Sequence, residues 1–561
     1  MQERNLIEES LRALYKDDAV VCETMEKITK RLKKYRRGGE RKTWLTEKDA
    51  VLITYGDSLR DGKTPDLRVL GDFLNAYVKD SISGVHILSM FPFSSDDGFS
   101  VVDYRTIRPE LGSWDDVEGI AKHYDLMIDA IINHVSKKSA WFQKFLRCEE
   151  PYKNYFILAD PNADYSSVTR PRPSPLLTPF ETKEGVKYVW TTFSKDQIDL
   201  NYKNPDVLVD VLDILLFYAA HGARFIRLDA IGFVWKEPGT TCMNLKETHE
   251  IVRLIRRVLE LYAPHVLILT ETNVPYRDNI SYFGNGYNEA HLVYQFPLPP
   301  LVMFSILKGD AVKLTRWASG IRPASPNTTY FNFLSSHDGI GIRPVEGILS
   351  KEERDFLIAE TWRNGGSVSY KDNGDGTKSA YELNINYQDA LASPEISDSV
   401  RIRRFLAAET ILLTLQGMPG IYIHSLLGSR NDYYGRATSG IPRKINREKL
   451  NVEKLKELLN SDTNRRKIFG EFIRRLRIRR EHPAFSPAAD QEILSVDDRV
   501  FAVKRCCRSH RETIFALINV SDDRVAIPLK QAAGKNLLND RSVRGEIVLS
   551  AYEAAWILAE Q

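Results

Sequence analysis

Eight short apolar runs rich in β-branched residues, separated by longer amphipathic stretches, constrain the fold of this chain more than any other feature. They lie at Val51-Thr54, Val85-Leu88, Leu126-Ile132, Ala223-Leu228, Val266-Thr270, Leu292-Tyr294, Tyr330-Leu334 and Ile421-Ile423. Strands alternating with helices predict an α/β fold, and eight of them predict a closed (β/α)8 TIM barrel.

At 561 residues the chain exceeds one barrel, and the remainder has a different texture. Residues 3–37 are charged, with apolar positions at helical spacing (Leu6, Ile7, Leu11, Leu14, Tyr15), and end in the basic run from Lys30 to Arg37. They predict an N-terminal helical extension, residues 1–47. Its basic end reads as a solvated helix C-terminus suited to the dipole in preference to a nucleic-acid patch. Residues 135–205, rich in Pro, Tyr and Asp, are too long for a plain crossover. They predict a subdomain inserted after the third strand of a barrel spanning 48–484. Past residue 485, runs such as Val500-Val503, Thr513-Ile518, Val525-Pro528 and Ile547-Leu549 predict a C-terminal all-β domain, 485–561.

The balance of 78 basic and 75 acidic residues, net +3, offers no field to draw in nucleic acid or membrane, so a small neutral or anionic substrate fits better. Cys22, Cys148, Cys242, Cys506 and Cys507 are scattered without C-x-x-C spacing and read as reduced thiols. With no apolar leader and no run of about 18 apolar residues, the expectation is a cytoplasmic protein.

In a (β/α)8 barrel the active site forms at the C-terminal strand ends, so polar residues following apolar strands are the candidates. Ile128-Asp129-Ala130-Ile131-Ile132-Asn133-His134 closes the third strand and Arg227-Leu228-Asp229-Ala230 the fourth. Thr270-Glu271-Thr272-Asn273 follows the fifth, and Ser335-Ser336-His337-Asp338-Gly339 the seventh. A lone Asp after a strand is more often a helix N-cap than a nucleophile. Four such motifs in order on successive strands shift that balance. Cleaving an acetal with retention needs a carboxylate below the anomeric carbon and a protonated carboxyl beside the leaving oxygen, about 5–5.5 Å apart. Asp229 and Glu271 are that pair. Arg227, two residues before Asp229, is expected to hold it ionised, and Glu271, among neutral neighbours, to keep a raised pKa.

These motifs resemble the four sequence regions of the α-amylase superfamily, glycoside hydrolase family 13, across most of residues 48–480. The resemblance implies Asp229 as nucleophile, Glu271 as acid/base and Asp338 as the transition-state carboxylate, with Arg227, His134 and His337 lining the donor subsite. Ile53-Thr54-Tyr55-Gly56-Asp57, Thr169-Arg170-Pro171-Arg172-Pro173, Lys236 to Cys242, Leu298-Pro299-Pro300-Leu301 and Arg443-Lys444-Ile445-Asn446-Arg447 are similar to the sucrose phosphorylase branch. There Asp57 and Arg443 would clamp the far hydroxyls of one glucose, while Arg172 and Tyr381 would contact phosphate with a guanidinium fork and a hydroxyl.

Other stretches resemble the glucosylglycerate phosphorylases of that branch: the N-terminal helices, Ser94-Ser95-Asp96-Asp97-Gly98, Thr178-Pro179-Phe180, Lys371 to Lys378, and Leu427 to Asp432. The resemblance implies a retaining α-glucosyl phosphorylase acting on a glucoside and inorganic phosphate, and transferring glucose between 2-O-(α-D-glucopyranosyl)-D-glycerate and phosphate. Sucrose, sucrose 6-phosphate or glucosylglycerol as substrate, and a non-catalytic amylase-like binding module, stay open as alternatives. Arg172, Lys378 and Arg430 are the candidate cations for glycerate or phosphate. No cofactor or metal is expected, and the resemblance implies a monomer or homodimer. Asn133 reads as loop support, and Asp372 to Gly376, whose calcium-loop pattern has Leu383 at the twelfth position, reads as a flexible turn.

Overall fold

The computed structural model describes residues 2–35, 42–172, 174–372, 377–461 and 463–560. Its centre is a closed parallel barrel of β1 (Val51–Tyr55), β2 (Gly84–Leu88), β3 (Asp125–Ala130), β4 (Ala223–Leu228), β5 (Leu267–Thr270), β6 (Leu292–Tyr294), β7 (Thr329–Phe333) and β8 (Met418–Tyr422). Each strand lies beside its neighbours in sequence, and β8 closes the ring against β1, pairing Val51 with Gly420. All eight apolar runs are strands. The eighth begins at Met418, ahead of the expected Ile421, because Pro419 and Gly420 interrupt the apolar pattern. Gly420 is required there, since a Cβ would overlap the Phe331 ring on β7.

The N-terminal extension is two helices, α1 (Gln2–Tyr15) and α2 (Asp18–Leu32), the second capped by Asp17, whose carboxylate accepts the Ala19 N–H at 2.8 Å. They lie against the outside of the barrel, α2 along α3 (Pro205–Ala220) and α1 along α4 (Lys246–Tyr262). Leu11, Val21 and Leu32 are fully buried in that seam.

The basic end of α2 is half in solvent but also paired. Lys27 Nζ reaches Asp206 at 2.7 Å, Arg31 pairs with Asp210, and Lys34 Nζ and Tyr35 Oη reach Asp213 at 2.8 and 2.9 Å. Arg105 adds a further bond to Asp213 at 2.7 Å. Asp206, Asp210 and Asp213 stand at i, i+4 and i+7 on one face of α3, a stripe complementary to α2 but far from it in sequence. Arg36 and Arg37 lie outside the described residues.

Two excursions leave the mouth of the barrel. The first begins and ends in the antiparallel pair His134–Ser136 with Gln197–Asp199, and contains the helix Ala140–Leu146 and the hairpin Leu177–Thr182/Gly185–Trp190. The second, unforeseen, lies between β7 and β8: a sheet of Ile340–Gly341, Lys378–Asn384 and Ser367–Asp372, in that order. The turn at 373–376 lies outside the described residues.

After the barrel, β9 (Asp490–Asp497), β10 (Val500–Cys507), β11 (Glu512–Asn519), β12 (Val525–Asn536), β13 (Ser542–Leu549) and β14 (Ala554–Ala559) form one antiparallel sheet, ordered β9-β10-β11-β14-β12-β13. It docks on α5 (Asp398–Thr414): Trp556 Nε1 donates to Thr414 Oγ1 at 2.9 Å and buried Arg505 to the Thr414 carbonyl at 2.9 Å. Among the described residues no helix is long and apolar enough to cross a membrane.

Asp213 is 2% exposed while its cations are half in solvent, so its loss removes more than an exposed ion pair would. Asp213→Ala is expected to cost about 1–3 kcal/mol, read as a lowered Tm, and to make α1 and α2 the first segment released by limited proteolysis.

Candidate active site

Because the strands are parallel, their C-terminal ends share one mouth, and the ladder extends past them. Asp229 N–H donates to the Ala130 carbonyl and Glu271 N–H to the Leu228 carbonyl, each at 3.1 Å, which fixes both carboxylates beside the β3–β4–β5 rim. Asp229, Glu271 and Asp338 line a single pocket with His134, Arg172, Arg227, His337, Tyr381 and Arg443.

Arg227 organises this rim. It is 2% exposed, lies opposite Asp129 in the β3–β4 register, and its Nη1 bonds Asp129 at 2.8 Å and Asp229 at 2.7 Å. The Tyr294 and Phe99 rings lie 5.7 and 5.8 Å from the guanidinium carbon. Glu271 is 4.0 Å away. One fixed cation therefore favours the ionised form of Asp229 over that of Glu271.

Burial nevertheless raises Asp229 from its ordinary value, and Asp129, which shares the same Nη1, adds to that rise, while Arg227 pulls the other way and favours the ionised form. Burial would push Asp129 up too, but His86 and Arg227 on its two sides hold it well below the usual range. Glu271 is pushed up to about 7 by burial, against the pull of Arg227 and with the help of Asp229 and Asp338. Its surroundings are thus charged, contrary to the expected neutral neighbours. Its Oε2 accepts the Ala230 N–H at 3.0 Å. Ala230 turns that N–H inward by adopting a left-handed conformation, φ 49°, which costs an L-residue about 1–2 kcal/mol.

On the opposite side, Arg443 Nη1 bonds Asp338 at 2.6 Å, while its Nε and Nη2 hold the two oxygens of Glu382 at 3.0 and 2.9 Å. Burial opposes ionisation of Asp338, yet the Arg443 and Arg447 guanidiniums keep it well below the carboxylate range. His337, stacked on Phe99 at 4.8 Å, is driven down to about 3 by burial and is neutral. His134 Nε2 meets the Phe99 carbonyl at 2.9 Å.

Tyr381 and Glu382 both face the pocket although they are successive residues of one strand. The register explains it: Ser369 pairs with Glu382 and Tyr370 with Ala380, leaving Tyr381 as the extra residue of a β-bulge. Arg172 reaches the same mouth and lies 3.8 Å from Asp96.

Three expected site residues are elsewhere. Asp57 does not line the pocket; it is paired with Lys449. Lys378 is exposed at the start of its strand, before the bulge. Arg430 Nε bonds Asp389 at 2.6 Å, a carboxylate that also holds the Asn431 N–H. Asn133 does support the inserted loop: its Oδ1 accepts from Lys236 Nζ at 2.7 Å, and Lys236 bridges on to Asp199 at 2.5 Å. An ammonium therefore already engages the oxygens that a cation at this position would share.

Sequence reasoning missed Asp129, Glu382, Arg343 and Asn273. Asp129 and Asn273 stand inside quoted motifs, but the place of one depends on the cross-strand register and that of the other on the approach of Gly341. The other two lie in or beside the unforeseen β7–β8 sheet.

The profile of the α-amylase catalytic domain matches residues 63–347. A glucosylglycerate phosphorylase of Allomeiothermus silvanus is 49% identical over 560 residues, 99% of this chain and 98% of that one. Another, of Spirochaeta thermophila, is 49% identical over 479 residues, 85% of this chain and 81% of that one. Among solved structures, sucrose 6F-phosphate phosphorylase from Thermoanaerobacter thermosaccharolyticum matches with a TM-score of 0.75 at 24% identity, over 90% of this chain and 99% of its own. That last likeness is one of fold.

An acid near pH 7 in the free protein must leave a kinetic mark. If Glu271 protonates a leaving oxygen, kcat/KM for an alkyl glucoside falls as pH rises through about 7. A donor whose leaving group needs no proton, such as α-glucosyl fluoride, is expected to lack that basic limb, and Glu271→Gln to remove the difference between the two profiles.

Proposed function

The chain belongs to the α-amylase family, and we propose that it is a retaining α-glucosyl phosphorylase exchanging 2-O-(α-D-glucopyranosyl)-D-glycerate and phosphate for α-D-glucose 1-phosphate and D-glycerate. The observation that carries the reaction type is the pocket itself, which gathers Asp229, Glu271 and Asp338 about Arg227 with Arg172 and Tyr381 at the same mouth. Glycerate as acceptor rests on near full-length identity with proteins named glucosylglycerate phosphorylase.

In the first step an Asp229 oxygen attacks the anomeric carbon while the Glu271 proton passes to the glycerate oxygen, and the glycosidic bond breaks. A β-glucosyl ester on Asp229 and free glycerate result. Phosphate then attacks the same carbon from the vacated side, gives its proton to Glu271 and releases Asp229. Asp338, ionised and steered by Arg443, accepts hydrogen bonds from glucosyl hydroxyls as the ring flattens. Arg172 and the Tyr381 hydroxyl meet the phosphate oxygens. Because Asp57 is held by Lys449, its grip on a glucose hydroxyl would require that pair to reorganise when substrate binds.

We also take the chain to divide at 1–47, 48–484 and 485–561, and to act in the cytoplasm without nucleic-acid or membrane partners, in keeping with its charge balance. Glucose 1-phosphate offered with a panel of acceptors tests the substrate. D-Glycerate is expected to be glucosylated in preference to fructose, fructose 6-phosphate and glycerol, and preferential use of any of these would replace glycerate in the reading. Asp229→Asn is expected to lower phosphate release on the order of a thousandfold or more, and a variant of undiminished rate would point to a binding module.

A further inference from the structure

A pocket lined by Asp229, Glu271 and Asp338 repels an anionic acceptor, so an acceptor that carries a carboxylate needs a cation not already committed to one of them. Two of the lining arginines are committed. Arg227 is bonded to Asp129 and Asp229, and Arg443 to Asp338 and Glu382. Arg172 is partly neutralised by Asp96 at 3.8 Å. Arg343 differs: it lines the same pocket, makes no ion pair among the described residues, and its buried Nε has no hydrogen-bond partner.

Its place in the fold puts Arg343 on the leaving-group side. Arg343 opens a short 3-10 turn directly after the strand Ile340–Gly341, and the neighbouring Ile342 N–H donates to the Tyr381 carbonyl at 3.2 Å. Gly341 packs on Asn273, close enough that a Cβ there would lie 3.1 Å from the amide. Asn273 stands two residues after Glu271 and leaves its Oδ1 unpartnered. The turn that carries Arg343 therefore abuts the loop that carries the proposed proton donor. Lys371, on the far strand of the same sheet, is held below the usual lysine range by burial and by the charge of Arg343, against the pull of Glu346.

Building on the phosphorylase reading above, we propose that Arg343 is the specificity-determining residue that receives the carboxylate of the acceptor, a small 2-hydroxy acid. It takes the place assigned from sequence to Lys378 and Arg430. Fructose and glycerol offer no charge to it. A guanidinium presented edge-on binds a carboxylate through two parallel N–H bonds, which a lysine reproduces only in charge.

The test uses the full chain and follows how the glucosyl-enzyme formed from glucose 1-phosphate partitions between a fixed concentration of D-glycerate and water. Partitioning comes after donor binding and is insensitive to the fraction of enzyme folded. Arg343→Gln is expected to lower the glycerate-to-water ratio at least about tenfold, the loss of one charge-assisted bond pair, and Arg343→Lys to recover part of it. A ratio unchanged in Arg343→Gln overturns the proposal, even where total turnover falls, because that pattern is a structural effect. Failure of the wild-type protein to transfer to glycerate at all would instead sink the underlying choice of substrate.

Discussion

One guanidinium governs the chemistry at the barrel mouth. Arg227 sits inside the β3–β4 ladder with Asp129 across from it, Asp229 ahead of it and Glu271 at the edge of its reach. A single cation among three buried carboxylates leaves an excess of negative charge that a low-dielectric site does not tolerate. The site relieves it by distance. Of the carboxylates touching Arg227, Asp129 is held as an anion and Asp229 is pulled toward one against its burial, while the one at 4.0 Å takes up a proton near neutrality. On the far side Arg443 is divided between Asp338 and Glu382 and touches both. Two carboxylate–arginine–carboxylate arrays thus share the mouth of the barrel.

The surrounding fold keeps those distances fixed. β4 carries Arg227 and leads into Asp229, β5 leads into Glu271, and the helices α3 and α4 around β4 are the ones that α1 and α2 clasp from outside. Asp213, fully engaged by Arg105 and the basic end of α2, ties that clasp to the barrel. Lys236 does comparable work at the mouth by tying Asn133, at the end of β3, to Asp199, where the inserted segment returns. Neither fastening touches the pocket's carboxylates, yet both restrict the strands from which those carboxylates project.

What could be read from the sequence divides along a physical line. Barrel strands were legible because burial on both faces makes them continuous apolar runs, and the three pocket carboxylates because Asp229 and Glu271 directly follow such runs and Asp338 lies within four residues of one. β8 was blurred by Pro419 and Gly420, and β9 and β14 were missed because one reads Asp-Gln-Glu at its start and the other is rich in alanine. Tertiary pairing overrode local propensity in both. The acceptor side was legible only in part. Arg172 and Tyr381 do reach the mouth, whereas Lys378 and Arg430 were chosen as cations in loops. Only the observed sheet tells that Lys378 lies before the bulge in solvent and that Arg430 is spent on Asp389.

The bulge at Tyr381 ties two properties of the pocket to a single backbone irregularity. Removing one residue there would restore strict alternation, so that either Tyr381 or Glu382 would turn outward while the other kept its place. The pocket-lining Tyr381 and the carboxylate anchoring Arg443 therefore depend on one backbone irregularity, and a change in the hairpin's length that kept both would have to fall beyond the bulge. Such a change could lengthen or recharge the hairpin while leaving the carboxylates around Arg227 untouched.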